Sequence, residues 1–379
     1  MKTILLINNY SMENAYSLWK RGVSGSHHVW GKVELDQRGN FQMEIFPHVR
    51  YPFLNKVGKW MGIGHLDQQI RVLLYQKNFD ILYTPYATAN TKLLLLLKSV
   101  GLFKKPIVAT VHQALLGTRS KNAWYRKFTK KMILQYDASI FLSRALMEDT
   151  VNSLNIPQAE AKEKFSSSDW GPDTQFYTKF RSSTTPSLKN HNYVISAGHT
   201  DRDYETLIEA FRHIDFRLKI YCTPSSTPKV SNLPQNVEIN TKPIPYIELL
   251  DKYKDAMAIM IPLKYSKEME GCQGMTSLQD VVALSKPVIM TENKKLNIDI
   301  EREGLGYWVQ MGDVEGWRRA FEKLAQDEAG WHRMCENAVK VYQEKFNSTL
   351  FANDLEQVFF KVSKKLDNKA ESHHSVHHR

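Results

Sequence analysis

Short apolar runs alternate with amphipathic segments along most of the chain. Four of the runs have the length and the content of buried strands, namely residues 3–7, 107–111, 193–197 and 288–290. Other segments carry apolar residues at the spacing of one helix face, among them residues 14–21, 205–213, 317–325 and 331–346. Because strand and helix patterns alternate from the start, the sequence predicts an α/β fold with parallel sheets.

The chain of 379 residues is long enough for two domains of ordinary size. Residues 181–190 are rich in Ser, Thr and Pro, which is typical of a linker. We therefore expect an N-terminal domain over residues 1–180 and a second domain over residues 191–345. A helix over residues 346–366 and a disordered, His-rich tail over residues 367–379 are predicted to follow.

Composition and charge narrow the class of protein. The three cysteines are far apart and fit neither a metal-binding spacing nor a disulfide framework, which favours a reducing cytosol. The first apolar run lacks a cleavage site and is interpreted as a strand, and no run is long enough to span a membrane. The net charge of +11 favours an anionic partner: nucleotide phosphates, acidic lipid headgroups or nucleic acid.

Residues 268–291 carry the main candidate for chemistry. Gly271 and Gly274 predict a turn, Thr276 and Ser277 supply hydroxyls, and Asp280 follows inside an apolar helical run. A helix that begins after such a loop points free amide groups and its positive dipole end at one spot, which binds phosphate. Asp280 lies one turn further on the same face and can accept hydrogen bonds from a sugar diol. The local alternative is a plain amphipathic helix capped by Thr276 or Ser277.

The stretch Gly-Met-Thr-Ser-Leu-Gln-Asp (274–280), followed by Ala-Leu-Ser-Lys-Pro-Val (283–288), resembles the nucleotide-sugar motif of GT-B glycosyltransferases. The resemblance places Asp280 where that family has its ribose-binding Glu, and Met275 within the donor-binding segment. Retaining members often have a second Glu eight positions earlier, where this chain has Cys272. Glu268 and Glu270 are the nearby acids that could take its place.

Further donor-binding residues follow from the same resemblance. Gly-His-Thr-Asp-Arg (198–202) is similar to the family's phosphate-binding segment, so Gly198 and Arg202 are predicted to face the diphosphate. An arginine can grip phosphate with two N–H groups, although pairing of Arg202 with Asp203 at a helix start is the structural alternative. The resemblance also places Pro245 beside the nucleobase, and Lys264 is close enough in sequence to serve as a second phosphate cation.

The N-terminal half carries the candidate acceptor residues. Ligands of open α/β sheets bind at the carboxyl ends of the strands. Asn9 and Tyr10 follow the first predicted strand, and the aromatic loop that contains His27 and His28 comes next. His112 directly follows the predicted strand 107–111 and resembles the histidine of many GT-B enzymes that approaches the transferred sugar. A surface role for the His pair, and a satisfied strand-end role for His112, are the alternatives.

Residues 119–131 combine basic and aromatic side chains. Trp124, Tyr125 and Phe128 lie at helical spacing among several Lys and Arg residues. This composition suits a helix on an anionic lipid surface, and a solvated helix with an apolar face is the alternative. Nucleic acid is not expected as a partner, because no recognisable nucleic-acid motif accompanies the charge.

Together these patterns predict an α/β protein with two Rossmann-like, doubly wound domains facing a cleft, as in GT-B enzymes. The predicted donor-binding residues are Gly198, Arg202, Pro245, Lys264, Gly274, Met275, Thr276, Ser277 and Asp280, and the predicted acceptor-binding residues are Asn9, Tyr10, His27 and His28. His112 and Glu270 are the predicted catalytic residues. For an inverting reaction, the possible general bases are Glu13, Asp173 and His112.

The predicted function is transfer of a sugar from a UDP- or GDP-linked donor to a glycan or lipid-linked acceptor, with no metal and no cofactor. The sequence leaves retaining and inverting stereochemistry open. The expected location is the cytoplasm, at the inner face of the plasma membrane if residues 119–131 bind lipid. Two other classes stay open: a sugar-nucleotide epimerase of the same fold and a non-catalytic, membrane-associated scaffold.

Overall fold

The structure is a computed structural model that describes residues 1–88, 90–181 and 187–376. The chain divides into two compact units. Unit 1 comprises Met1–Gly22, Ser26–Trp170 and Ser348–Arg379, and unit 2 comprises Val23–Gly25 and Gly171–Asn347.

Unit 1 is built on a six-stranded parallel sheet. Its strands are β1 (Lys2–Leu6), β2 (Phe41–Ile45), β3 (Ile81–Thr84), β4 (Ile107–Val111), β5 (Ala138–Phe141) and β6 (Phe165–Ser167). They lie in the order β2-β1-β3-β4-β5-β6, with Ile4 opposite Ile81 in the β1–β3 pair. Strands β3, β4 and β5 are buried along their whole length, as parallel strands covered on both faces must be. The strand order changes direction between β1 and β3, and a ligand site is expected outside the carboxyl ends of these strands.

The helices of unit 1 connect these strands. They are α1 (Met12–Lys20), α2 (Lys32–Arg38), α3 (Pro52–Trp60), α4 (Leu66–Tyr75), α5 (Lys92–Ser99), α6 (Ala123–Ile133), α7 (Arg144–Ser153) and α8 (Gln158–Lys164). Several begin at a side-chain cap: the Ser11 hydroxyl accepts from the Asn14 amide at α1, and Ser143 accepts from the Leu146 amide at α7.

Unit 2 repeats the plan with a second six-stranded parallel sheet. Its strands are β7 (Tyr193–Ala197), β8 (Arg217–Tyr221), β9 (Val237–Asn240), β10 (Ile259–Ile261), β11 (Val288–Thr291) and β12 (Gly306–Val309). Their order, β12-β11-β10-β7-β8-β9, is that of a dinucleotide-binding sheet. The order reverses between β7 and β10, where Ile195 lies opposite Ile259. A ligand is therefore expected at the loops that follow these two strands.

The helices of unit 2 are α9 (Tyr204–Phe211), α10 (Tyr246–Asp255), α11 (Met275–Ala283), α12 (Val314–Gln326) and α13 (Glu328–Glu344). Asp203, Asp313 and Asp327 cap α9, α12 and α13 by accepting amide hydrogens of the first turn. Trp317 and Trp331 are fully buried in the core cluster that these helices form with the sheet. The last helix of the chain, α14 (Ser348–Val376), belongs to unit 1.

The prediction of two Rossmann-like, doubly wound α/β domains is confirmed. The predicted domain boundaries differ from those of the two units. Residues 171–180 belong to unit 2 rather than to the N-terminal domain, because the Asp173 carbonyl accepts from the Tyr342 hydroxyl and Tyr177 bonds to Asp280. Of the predicted linker, residues 182–186 lie outside the described residues. The predicted tail also needs correction, since residues 367–376 continue α14, and residues 377–379 lie outside the described residues.

Candidate functional site

The first turn of α11 is the centre of the candidate donor site in unit 2. Gly274 precedes the helix with φ of 85°, and the Leu278 amide is bonded within the helix, to the Gly274 carbonyl. The Met275 amide donates to the Cys272 carbonyl at 3.2 Å. The next two amides of the first turn, those of Thr276 and Ser277, have no carbonyl partner inside the helix and can face an anion. No side chain caps α11, which excludes the alternative that Thr276 or Ser277 serves as its cap.

Gly274 is the residue that lets the chain enter α11. Its positive φ disfavours any residue with a side chain, and a Cβ atom there would lie 2.3 Å from Cε of Met290 on β11. The loop before Gly274 is held by Asn293, whose buried amide donates to the carbonyls of Gly271 and Gln273, both at 3.0 Å. The position of the first turn of α11 is therefore fixed by backbone conformation and by one buried side-chain amide.

Arg202 links the loop after β7 to the start of α11. Its Nη2 donates to Oγ of Ser277 at 2.7 Å, and its Nε and Nη2 both lie 3.3 Å from the Ala197 carbonyl. The guanidinium lies close against Gly198, where a Cβ atom would be 2.5 Å from Arg202 Nε. The predicted residues Gly198, Arg202 and Ser277 are thus brought together. Asp203 caps α9 instead of pairing with Arg202.

The loops that follow β7 and β10 are joined to each other by their backbones. The Lys264 amide donates to the Asp201 carbonyl at 2.9 Å, and the Asp203 amide donates to the Pro262 carbonyl at 3.2 Å. These contacts lie at the reversal of strand order, where α/β sheets bind their ligands. The Lys264 side chain is exposed and can reach a bound anion from the solvent side.

Asp280 lies one turn after Ser277 on α11 and is buried. Its Oδ1 accepts hydrogen bonds from the hydroxyls of Tyr177, at 2.9 Å, and of Tyr246. The two tyrosine hydroxyls are 2.7 Å apart. The carboxylate is therefore held in place by two neutral donors, with Oδ2 outside this pair of hydrogen bonds.

Burial raises the pKa of the Asp280 carboxyl to about 7, and the hydrogen bonds from Tyr246 and Tyr177 oppose this rise. A buried carboxylate with no cation bonded to it is costly to ionise, so its protonation state changes near neutral pH. Because a ribose hydroxyl donates to a carboxylate better than to a carboxylic acid, ligand binding at this position would depend on pH.

The other predicted residues of unit 2 lie around this centre. Pro245 immediately precedes α10 and places Tyr246, the first residue of that helix, against Asp280. Met275 is buried and Thr276 is exposed in the first turn of α11. Glu270 follows the short helical turn Lys267–Met269 and is half-buried, four residues before Gly274. Its predicted catalytic role stays a prediction.

In unit 1, the predicted acceptor residues form an aromatic cluster beyond β1 and β4. The hydroxyl of Tyr10 accepts from the indole N–H of Trp30 at 2.8 Å and lies 3.3 Å from the His28 carbonyl. The rings of His27 and His28 are 4.0 Å apart. The Trp30 ring stacks on that of Trp170 at 4.1 Å and lies 6.4 Å from that of His112. The cluster therefore brings Tyr10, His27, His28 and His112 into one region of unit 1.

His112 contacts Tyr86 edge to face, with ring centroids 4.6 Å apart. Burial lowers the pKa of His112 to about 4, so its imidazole is neutral at physiological pH. The pKa of His27 is also lowered, by burial and by its neighbour His28. A neutral imidazole both donates and accepts a hydrogen bond, which suits a sugar hydroxyl better than a phosphate.

The other two candidate general bases, Asp173 and Glu13, accept hydrogen bonds from residues close to them in the sequence. Oδ1 of the buried Asp173 accepts from the amides of Gln175 and Phe176, at 2.7 and 3.0 Å, and so holds a turn. The exposed Glu13 accepts from the Ser11 hydroxyl at 3.1 Å. Asn9 is half-buried, and its Oδ1 has no partner within the part of the chain that the structure describes.

Several functional candidates were not predicted from the sequence. Tyr177 and Tyr246 contact Asp280, Asn293 holds the loop before Gly274, and Trp30 supports Tyr10. Tyr246 follows Pro245 directly, so the motif that contains Pro245 could have indicated it. No local pattern marks Asn293, because its partners lie about 20 residues away in the sequence.

The described part of the chain contains no group of three His, Cys, Asp or Glu side chains placed to hold a metal ion. Across the same residues, none of the helices has both the length and the apolar content that crossing a bilayer would require.

No family model matches the sequence, and no curated protein matches it either. Solved structures do match the fold. The trehalose 6-phosphate synthase of Burkholderia multivorans has a TM-score of 0.68 at 11% identity, over 96% of this chain and 99% of that one. The sucrose-phosphate synthase of Thermosynechococcus elongatus has a TM-score of 0.64 at 13% identity, over 96% and 100%. HepE of Anabaena, solved with UDP-glucose, has a TM-score of 0.61 at 12% identity, over 96% and 100%.

These structural neighbours are glycosyltransferases of the GT-B type, and the two-domain α/β architecture of this chain matches theirs. The chain therefore has the GT-B fold. At 11–13% identity the match establishes the fold, and the function has to be argued from the site itself.

Proposed function

We propose that the protein is a glycosyltransferase that moves a sugar from a nucleoside-diphosphate sugar to a glycan or lipid-linked acceptor. The donor would bind in unit 2 at the start of α11, and unit 1 would hold the acceptor. No particular contact in the site favours either of the other two functions considered for this fold, a sugar-nucleotide epimerase and a non-catalytic scaffold.

The observation that carries the proposal is the hydrogen bond from Arg202 to Ser277, with Asp280 one helical turn further on. The bond places a guanidinium beside the first turn of α11, where the amides of Thr276 and Ser277 have no carbonyl partner inside the helix. A diphosphate needs both a cation and amide donors. A ribose needs an acceptor for its two hydroxyls, and Asp280 supplies one at the spacing of a helical turn.

We propose UDP as the nucleotide, in preference to GDP. The support is that HepE, a neighbour of the same fold, was solved with UDP and with UDP-glucose. In this chain, Pro245 and the start of α10 would lie over the base, because Tyr246 contacts Asp280, the carboxylate that we propose for the ribose.

The chemistry proposed for unit 2 is stabilisation of the leaving diphosphate. As the bond between the sugar and the diphosphate breaks, negative charge grows on the phosphate oxygens. Arg202, Lys264 and the first-turn amides of α11 would stabilise that charge without a metal ion. Within unit 2, Glu270 is proposed to act on the transferred sugar, and retention or inversion is left open. The predicted catalytic role of His112, in unit 1, stays a prediction.

The acceptor site proposed for unit 1 is the aromatic cluster around Tyr10, His28 and His112. Small-molecule sites combine apolar or aromatic surface with a few placed polar groups. Tyr10 is partly exposed and His112 is neutral, so both can form hydrogen bonds with acceptor hydroxyls. A lipid-linked acceptor would also need the protein at a membrane, for which residues 119–131 are the proposed contact.

The proposal is tested by calorimetric titration of UDP, GDP and ADP into the protein, with and without Mg²⁺. The variant Arg202→Gln removes the phosphate cation and should weaken UDP binding at least tenfold. The matched control is Arg217→Gln, which changes an exposed arginine at the opposite, amino-terminal end of β8. We expect the control to bind UDP as the unmodified protein does.

Two results would overturn the proposal. One is the absence of binding for all three nucleotides, which would leave the start of α11 as an ordinary helix terminus. The other is an equal loss of affinity in Arg202→Gln and Arg217→Gln, which would indicate general charge attraction. Once UDP binding is established, release of UDP from a panel of UDP-sugars would identify the donor.

A further inference from the structure

Helix α3 of unit 1 exposes an unusual amount of apolar surface. Among the described residues, six of the seventeen exposed large hydrophobic side chains lie between Val49 and Met61. Trp60 is 87% exposed and Phe53 is 62% exposed. Such a concentration in thirteen consecutive residues is more than the scattered exposure that is normal for a protein surface.

The exposed side chains form a stripe along one side of α3. Phe53, Val57 and Trp60 follow one another at intervals of four and three residues, and Met61 adjoins them at the end of the helix. At about 100° per residue, these four positions lie within one narrow sector of the helix surface. Gly58, the buried residue of α3, lies outside this sector.

The stripe is bordered by positive charge. Lys56 and Lys59 are exposed and lie on one flank of the stripe, and Arg50 precedes the helix. Residues 49–65 contain no Asp or Glu. The first acid after them, Asp67, is fully buried and paired with Arg71 at 2.8 Å. The surface of α3 is therefore apolar in the middle and cationic at its edge, with no nearby exposed acid in the sequence to oppose it.

Helix α3 is held firmly from the side that faces the protein. A Cβ atom on Gly58 would lie 2.4 Å from the Gly64 carbonyl, so the helix packs closely on the chain that leads into α4. The Asp67 amide donates to Oδ1 of Asn55, and the Asp67 carboxylate accepts the amides of Arg50 and Tyr51. The apolar stripe therefore lies on a helix that is anchored to its neighbours in unit 1, and its exposure does not come from fraying of the helix.

We propose that α3 is the surface by which unit 1 lies on an anionic lipid bilayer. Phe53, Val57, Trp60 and Met61 would enter the interfacial region, and Lys56, Lys59 and Arg50 would contact acidic headgroups. The inference deepens the membrane-linked part of the proposed function and rests on that function for its purpose, since a lipid-linked acceptor is presented at a bilayer.

The charge pattern favours a bilayer over a protein partner. An amphipathic stripe of aromatic and aliphatic side chains with lysines on its flank is the composition of helices that lie in the membrane interface. Residues 119–131 are a weaker candidate alone: Trp124 is the large hydrophobic residue exposed there, and Lys130 donates to the Asn155 carbonyl.

The two segments are neighbours. The ammonium of Lys92, at the start of α5, donates to the Gly62 carbonyl just after α3, at 2.9 Å. Arg119 is near enough to Lys92 to contribute to the lowering of the Lys92 pKa, behind the larger effect of burial. Lys92 and Arg119 therefore add positive charge near the chain that directly follows α3.

The test is flotation of the full chain with vesicles of phosphatidylcholine alone or of phosphatidylcholine mixed with phosphatidylglycerol, at low and at high salt. We expect retention on the anionic vesicles that weakens with salt. The double variants Phe53→Ser/Trp60→Ser and Lys56→Glu/Lys59→Glu should each lower the vesicle partition coefficient at least about tenfold. The second pair changes only exposed charges, so it tests the proposal even where the first pair fails to fold.

The controls alter unit 2 in the same ways. Leu233→Ser removes an exposed apolar side chain, and Lys229→Glu/Lys340→Glu makes the same change in net charge as the α3 pair. Both should bind anionic vesicles within twofold of the unmodified protein. Equal loss in the two lysine pairs would overturn the proposal, because general charge attraction would then explain binding.

Absence of retention on any vesicle would also overturn it and would leave α3 for a protein partner. Retention of Phe53→Ser/Trp60→Ser on anionic vesicles to the same extent as the unmodified protein would likewise overturn the proposal. Melting temperatures without nucleotide report whether each variant is folded. Vesicle binding without UDP binding would refute the proposed function and leave this inference standing, whereas UDP binding without vesicle binding would refute only the inference.

Discussion

Replacing Asp280 by asparagine removes a buried charge but keeps the size of the side chain and an oxygen that Tyr177 and Tyr246 can donate to. In the unmodified protein, burial raises the pKa of Asp280 to about 7 from an ordinary value of 3.8. At about 1.4 kcal/mol per pH unit, this difference corresponds to about 4 kcal/mol against folding once the carboxyl is ionised.

The sign follows from proton linkage. The folded state holds the proton more tightly than the unfolded state, so raising the pH from about 4 through about 7 lowers the free energy of unfolding, which then levels off. Asp280→Asn has no such proton and should be insensitive to pH at this position. We therefore expect the variant to be more stable than the unmodified protein at pH 8, by up to about 4 kcal/mol, and less so at pH 5.

The assay is urea unfolding at pH 5, 6, 7 and 8, followed by tryptophan fluorescence, with attention to the transition of unit 2. Asp215→Asn is the matched control, since Asp215 is an exposed acid of the same unit. The control should follow the pH dependence of the unmodified protein. If Asp280→Asn shows no gain in stability at pH 8 relative to pH 5, the buried-charge argument is wrong.

The same change should weaken nucleotide binding. If Asp280 accepts the ribose hydroxyls, UDP affinity in the unmodified protein rises as the pH passes through about 7 and the carboxylate forms. Asp280→Asn should bind UDP more weakly at pH 8 and keep only the pH dependence that comes from the UDP phosphate itself. Calorimetric titration at pH 6 and 8 checks this, and an identical pH profile in the two proteins would contradict it. A variant that is stabilised but binds worse would indicate that the buried acid is kept for its function.

Three further substitutions test the surroundings of α11. Gly274→Ala should lower the free energy of unfolding by more than Gly312→Ala does. Both glycines have positive φ, but of the two only Gly274 lacks room for a Cβ atom. Urea unfolding midpoints compare the two variants, and equal losses of stability would contradict the steric argument. Tyr246→Phe removes a hydrogen bond to the charged form of Asp280, so it should raise the pKa of that carboxyl further. The pH midpoint of UDP binding should then move upward. An unchanged midpoint would argue against that hydrogen bond. Asn293→Ala removes the donor to the Gly271 and Gln273 carbonyls, and it should lower the free energy of unfolding by about 1–3 kcal/mol and weaken UDP binding. A variant that keeps its stability and its UDP affinity would show that the loop does not depend on this amide.

The fold was predictable because its central strands are strongly apolar. Strand β4 (Ile107–Val111) and strand β7 (Tyr193–Ala197) were predicted with the observed bounds, since both are apolar runs buried along their whole length. The edge strands β2 and β9 were not predicted. Each is an edge strand that pairs with a neighbour on one side only. Their sequences are correspondingly short and half polar: Phe-Gln-Met-Glu-Ile in β2 and Val-Glu-Ile-Asn in β9.

Only the part of the candidate donor site that lies within one short segment of the sequence was predictable. The Gly274–Asp280 segment carries its own signal, since turn, hydroxyls and acid follow one another on one helix. The bond from Arg202 to Ser277 joins residues 75 positions apart, and that from Tyr177 to Asp280 joins residues 103 apart. Periodicity describes one element at a time, so contacts between distant elements have no local signature.

The proposed membrane surface on α3 shows what a sequence pattern leaves undetermined. Residues 119–131 attract attention through their charge and aromatic content, whereas the stripe on α3 resembles an ordinary core-facing helix in sequence. Only the burial of Gly58 and the exposure of Phe53 and Trp60 reveal that the apolar side of α3 faces solvent. Hydrophobic periodicity predicts that a helix has an apolar face but not what covers it.

The most direct test of the account is a crystal structure of the protein with UDP. We predict that the diphosphate lies within hydrogen-bond distance of Arg202 and of the amides of Thr276 and Ser277, and that the ribose hydroxyls contact the Asp280 carboxylate. UDP bound elsewhere, or bound with its phosphates away from the first turn of α11, would contradict the assignment of the donor site.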